Sequence, residues 1–169
     1  MIVRLADRVL KTRFGAFTEV LYYDGQRESI ALVMGDIRAG EDVLCRLHSA
    51  CIGGHVFNSV ECECAAEMAA AQKEIQKIGR GVIIYLDQEG KGNGHLALIE
   101  SMKYKQEFGQ AEAYVRAGFS ADAREYRPAA EILIELGVCS VVLLTSNPEK
   151  SSELERHSIV VSEARNIFR

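Results

Sequence analysis

No run of apolar residues in this chain approaches the roughly 18 that a membrane-crossing helix needs. The first ten residues, MIVRLADRVL, hold no apolar stretch long enough for a signal peptide. A cytoplasmic location and no membrane partner are therefore expected. A basic surplus is also missing: the formal net charge is −4, where a general nucleic-acid binder more often shows a basic run or excess. Nucleic acid is not an expected partner, although a local basic pocket for a small phosphate ligand is compatible with that balance. Proline is scarce, limited to Pro128 and Pro148, and no linker, low-complexity or repeated segment interrupts the chain. Residues 1–169 thus read as one domain. Five cysteines make an odd count, and thiols in the cytosol stay reduced, so a complete disulfide framework is excluded. What remains is 48% apolar and 26% charged residues, a composition that builds a packed globular core.

The first 48 residues read as strands. Phe17 to Tyr23, Ser29 to Met34 and Val43 to His48 are short apolar segments separated by turn signals such as Asp24-Gly25 and Ala39-Gly40. Beyond them helix and strand alternate. Met68, Ala71, Ile75 and Ile78 recur at helical spacing, and Gly79 ends that pattern. Gly81 to Leu86 reads as a buried strand, Leu96 to Phe108 as a helix, and Pro128 to Leu136 as another, with Pro128 in its first turn and Gly137 after its end. Val141 to Leu144 is a further strand, Pro148 to Arg156 a helix, and Ile159 to Val161 a last strand. The fold class is α/β (α+β): a β-rich N-terminal part, then alternating helices and strands in layers. Two polar clusters, DQEGKGNG after Leu86 and TSNPEK after Leu144, follow strands directly. Ligands in such folds sit beyond the carboxyl ends of strands, so these loops are candidate binding loops.

Three cysteines lie in the stretch CIGGHVFNSVECEC, from Cys51 to Cys64. Gly53-Gly54 allows the chain to fold back and bring Cys51 toward Cys62 and Cys64. Three thiolates suit zinc and leave a fourth position for water. Small buried hydrophobes are the competing reading. Cys45 and Cys139 lie in strand-like runs and read as core.

The motifs RLHSACIGG, CEC, DQEGKGNG, GFSADAREY and TSNPEK occur in that order. Over about Val43 to Val161 the chain resembles GTP cyclohydrolase II, the first enzyme of riboflavin synthesis. The resemblance implies a zinc- and Mg2+-dependent hydrolase, one zinc per chain, that opens the imidazole ring of GTP at C8. Formate and pyrophosphate leave, and a diaminopyrimidine ribosyl phosphate remains. It also implies a homodimer. Carried over by position, Cys51, Cys62 and Cys64 match the zinc ligands. Asp122 matches a proton acceptor and Arg124 a nucleophile at the α-phosphate. Arg46, His48, Ser49, Glu67, Glu89, Gly90, Lys91, Gln110, Thr145 and Lys150 fall at nucleotide-binding positions. Physical chemistry adds its own reading. Arg124 and Lys150 offer fixed positive charge to a phosphate chain, and a guanidinium that stays protonated clamps phosphate more naturally than it attacks it. Glu89 can accept from the N1–H and 2-amino edge of guanine. Asp87 and Lys105 read as solvated charges.

Several positions depart from the family pattern: Ala50, His55, Glu67, Lys91, Asn93, His95 and Ser146. A further departure falls on the helix after QEG. The family carries a catalytic tyrosine there, where an ungapped count places Met102, and Tyr104 lies about 200° further around a helix. With methionine at that place, the ring could open without loss of formate. Action on another nucleotide is the companion alternative. A non-catalytic nucleotide binder is the reading from a different class, and the joint retention of the three cysteines with Asp122 and Arg124 opposes it. His55 poses a geometric question: turned inward it would complete a closed, structural zinc site, and turned outward it would leave the site open.

Overall fold

A computed structural model describes residues 1–168. Its frame is one seven-stranded sheet in the order β1-β2-β3-β5-β4-β6-β7. The strands are β1 (Val3–Thr12), β2 (Gly15–Tyr23), β3 (Glu28–Met34), β4 (Val43–Ser49), β5 (Gly81–Leu86), β6 (Ser140–Leu144) and β7 (Val160–Arg165). The helices are α1 (Ile52–His55), α2 (Cys64–Ile78), α3 (His95–Met102), α4 (Gln110–Arg116), α5 (Arg127–Glu135) and α6 (Pro148–Arg156). From β1 to β5 the pairing is antiparallel, and β5, β4, β6 and β7 run parallel.

The central strands are buried on both faces, as parallel strands covered by helices must be. Alternation divides their side chains between two cores. Val43, Cys45, Leu47, Val82, Ile84, Leu86, Val141 and Leu143 join Ala129, Ile132 and Leu133 of α5 on one side. Leu44, Ile83, Val142 and Leu144 join Ala71 and Ile75 of α2 on the other. Each fully buried Leu or Ile contributes about 1.5–3 kcal/mol relative to exposure.

Helix ends follow local chemistry. Gly79 closes α2 in the left-handed region at φ 79°. The Asn147 side chain accepts from the backbone N–H of Glu149 at 2.9 Å, capping α6 ahead of Pro148. Three differences from the sequence reading stand out. The helix expected over Leu96–Phe108 ends at Met102 and continues as turns, because the polar run Lys103 to Glu107 offers no apolar face to bury. Cys139 is exposed, not core: it precedes β6, and its backbone rather than its side chain is engaged, through N–H to the Gly40 carbonyl at 2.8 Å. The first strand, β1, lies in the part read as strands but outside the three segments named there.

No described helix is long and apolar enough to cross a membrane.

Candidate active site

The parallel strands β4, β5 and β6 end at one edge of the sheet, and each carboxyl end delivers a loop. The β4 loop carries Cys51, the β5 loop QEGKGNG and the β6 loop TSNPEK. Cys51 is the N-cap of α1, its sulfur accepting from the Gly54 N–H at 3.4 Å. Cys64 opens α2, with Cys62 two residues earlier. A Cβ on Gly54 would lie 3.0 Å from the Cys62 sulfur and 3.4 Å from that of Cys51, so a bare backbone is what lets the loop close over the thiols.

The three sulfurs lie within 4.8 Å of one another, with Cys51 and Cys62 3.6 Å apart. Tetrahedral zinc with bonds near 2.3 Å spaces its sulfurs by about 3.8 Å, so the set fits that ion. Burial first, with the neighbouring thiols, pushes Cys64 well above the ordinary thiol range, and Cys51 also rises. Ionising all three together would require a cation. Among the described residues no histidine or carboxylate joins this set. His55 turns elsewhere: its Nε2 lies 3.0 Å from Nε2 of His48, and the His48 ring stacks on Tyr85 at 6.3 Å between centroids. The closed four-ligand arrangement is therefore not formed. His48 is held neutral, its pKa lowered to about 3 by burial and then by Arg46 and His55.

A cavity of about 350 Å³ opens over the thiols. Of the positions read from the sequence, Ser49, Cys51, Cys62, Cys64, Glu89, Gly90, Lys91, Gln110 and Arg124 line it. Glu89 is buried and accepts from the Ile52 N–H at 2.7 Å, tying the QEG loop to the cysteine loop. Gln88 ties more: its amide donates to Ser49 at 3.1 Å and accepts from the Glu125 N–H at 3.1 Å. Asn93 donates to the Ser120 carbonyl at 2.9 Å, which gives this departure from the family pattern a structural use. Lys105 borders the cavity too and is exposed, in keeping with its reading as a solvated charge.

Asp122 and Arg124 sit where this cavity meets a second depression, with Arg124 lining both. Arg124 Nε donates to Asp122 Oδ1 at 2.9 Å. Burial pushes the Asp122 carboxyl up, but the hydrogen bonds and charge of Arg124 outweigh it and the net shift is downward. Hydrogen bonding to Asp122 raises Arg124 in turn. The pair stays ionised. Its loop is fastened to the QEG loop by the Ala123 N–H donating to the Lys91 carbonyl at 2.8 Å. Gly92 permits that approach: at φ 83°, a Cβ there would lie 2.4 Å from the Ala123 carbonyl oxygen. Gly92→Ala is expected to cost about 2–4 kcal/mol and to displace Arg124. Urea unfolding checks it, and a midpoint equal to wild type would contradict this account of the loop.

Arg46, Glu67, Thr145 and Lys150 form a separate group beneath the strand ends rather than in the cavity wall. Arg46 donates to the Leu144 carbonyl at 2.9 Å and pairs with Glu67 at 2.6 Å. Lys150 donates to the Leu47 carbonyl at 2.9 Å. Thr145 accepts from the Asn147 N–H at 3.0 Å. Burial, then Arg46 and Arg124, lowers the Lys150 pKa to about 7. The unfolded chain keeps that proton up to about pH 10.5, so between these values it binds more protons than the folded chain, and stability rises with pH. The slope is at most about 1.4 kcal/mol per pH unit. Against Lys150→Met, the wild type should therefore gain on the order of 2 kcal/mol between pH 7 and 9. Parallel stability curves from urea unfolding would overturn this.

Sequence reasoning missed Tyr114 of α4, which lines the cavity beside Met102. It lies in no motif, and its only signal is an apolar neighbour, Ala113, on the buried side of a short helix. Met102 itself faces the cavity, and Tyr104 is not part of its lining.

The family model described as GTP cyclohydrolase II matches residues 3–166. GTP cyclohydrolase-2 of Streptomyces coelicolor is 43% identical over 166 residues, covering 96% of this chain and 75% of that protein. Riboflavin biosynthesis protein RibBA of Bacillus cereus is 42% identical over 166 residues, covering 96% of this chain. The chain spans 42% of the length of that RibBA relative. A solved structure of RibBX, a two-domain 3,4-dihydroxy-2-butanone 4-phosphate synthase from A. baumannii, aligns over 86% of this chain and 34% of that one, with TM-score 0.48 and 17% identity.

Proposed function

The chain belongs to the GTP cyclohydrolase II family, and on that premise we propose that it hydrolyses GTP, opening the imidazole ring at C8 and releasing pyrophosphate. The observation that carries this reading is one cavity bordered by three clustered thiols, a buried carboxylate and an ion-paired arginine. Cys51, Cys62 and Cys64 would hold one zinc, which when bound supplies a Lewis acid and an acidified water. Water adds at C8, the C8–N9 bond breaks, and N9 takes the proton, leaving a formamide on N7. Glu89, with one oxygen on the Ile52 N–H, presents its other to the N1–H and 2-amino edge of guanine. Lys91 and Arg124 meet the phosphates, with Mg2+ arriving on the nucleotide, and a second water bonds to the α-phosphorus as the α–β phosphoanhydride breaks and pyrophosphate leaves. Arg124 serves as a clamp: Asp122 keeps it protonated and aimed, and a charged guanidinium binds phosphate oxygens through paired hydrogen bonds. Residues 1–169 act as one domain, in the cytoplasm, and the working form is a homodimer.

Release of formate is the family's usual second step. A specific observation favours a second reading here. Met102, not a tyrosine, stands in the cavity wall, and a thioether cannot give a proton to the departing amine. The product then retains its formylamino group.

Zinc-loaded protein incubated with GTP, ITP and ATP, with pyrophosphate assayed and products weighed by mass spectrometry, tests the proposal. GTP should be consumed with pyrophosphate released in equal amount. Tight binding of a nucleotide with none consumed would end the enzymatic reading.

A further inference from the structure

Tyr114 is 1% exposed, yet its side chain forms part of the cavity wall. It is held from α3. Ser101, the neighbour of Met102, is also buried, and its hydroxyl donates to the Leu98 carbonyl at 2.8 Å beside the Tyr114 phenol. A phenol carries one donor proton, which rotation about its C–O bond can turn to a ligand in the cavity. Burial raises the phenol's pKa, with Glu89 and Asp122 adding to the rise and Arg124 opposing it. Tyr114 is thus a neutral donor at working pH.

Glu89 lies in the same cavity and, ionised, only accepts. A guanine base presents both kinds of partner along one edge. Its C6 oxygen needs a donor, and its N1–H and 2-amino group need acceptors. Lys91 and Arg124 are turned to Asp122 instead, so neither is free for the C6 oxygen. An adenine in the same pose would aim the N1 lone pair at the Glu89 carboxylate. Its 6-amino group, conjugated with the ring, offers no good lone pair to the phenol proton.

We propose that Tyr114 is a specificity-determining residue whose phenol donates to the C6 oxygen of guanine while Glu89 accepts from the N1 and 2-amino edge. This rests on the guanine-nucleotide reading above.

Tyr114→Phe tests it with three ligands titrated by calorimetry: GTP, ITP and 6-thio-GTP, whose sulfur is a weak acceptor. GTP and ITP should each bind about tenfold more weakly to the variant. Binding of 6-thio-GTP should change less than about twofold, having no strong bond to lose. An equal loss for all three would reduce Tyr114 to a structural role, and no loss for GTP would also overturn the proposal. Tyr114→Phe should also narrow the preference for GTP over ATP, and an unchanged preference would contradict the assignment. The titrations omit Mg2+, so that binding is read apart from turnover. Pyrophosphate release by the wild type from GTP judges the hydrolase reading separately.

Discussion

Cys64→Ser is expected to leave the sheet intact and to remove both bound metal and turnover. Cys64 stands at the first turn of α2, half-buried, with its sulfur in the three-thiol cluster. A serine oxygen is a hard, weakly acidic ligand, and two remaining thiols do not hold zinc tightly. Wild-type protein should carry about one zinc per chain after gel filtration, and the variant roughly a tenth of that or less. GTP consumption should fall by at least about a hundredfold, since the acidified water is lost with the metal. Elemental analysis beside a turnover assay checks both. Full activity in a metal-free variant would remove zinc from the chemistry. Far-UV circular dichroism should stay close to wild type, because α2 is anchored by Ala71 and Ile75 in the core rather than by the thiol.

The second large effect concerns the product rather than the rate. Wild-type protein is expected to release pyrophosphate but little formate, and Met102→Tyr to release about one formate for each GTP consumed. Met102 ends α3 and faces the cavity. A phenol there brings a donor and acid/base group to the formamide that ring opening leaves on N7. Methionine brings only a soft apolar side chain. Formate assayed enzymatically, alongside the product mass, separates the two outcomes. Stoichiometric formate from the wild type would end the second reading while leaving the ring-opening hydrolase untouched.

Much of this arrangement was readable from residue order, because its signals are local. Helix α6 was expected over its observed span, since Asn147-Pro148 both caps and starts it. Strands β5 and β6 announced themselves as apolar runs because parallel central strands bury both faces. Strand β1 did not. Val3, Leu5 and Val9 are each at least half exposed, so no core face disciplines the alternation of VRLADRVLKT, and charges fall on both sides. Helices α1 and α4 are only four and seven residues long, too short for a periodic pattern to repeat. In the site, the placing of both polar loops at strand ends followed from local pattern, while spacing and Gly53-Gly54 made the clustering of the cysteines feasible without fixing it.

His55 shows where such reading stops. Its neighbours in sequence are the cysteine loop, and the residues favoured an outward turn without excluding an inward one onto the thiols. Only packing against β4 and β5 brings it to His48 and Tyr85. The pairing of Arg46 with Glu67 and of Lys150 with the Leu47 carbonyl, and the entry of Tyr114 from α4, have the same character.

By itself the sequence determined the spacing of the cysteines, the order of the motifs and the layered α/β class, because those depend on residue type, short spacing and burial pattern. The tertiary structure decided which charges are already paired, which way His55 turns, and which hydroxyl faces the base. Those outcomes depend on contacts between segments up to a hundred residues apart, and the geometry of such contacts is set by how the sheet edge brings its loops together.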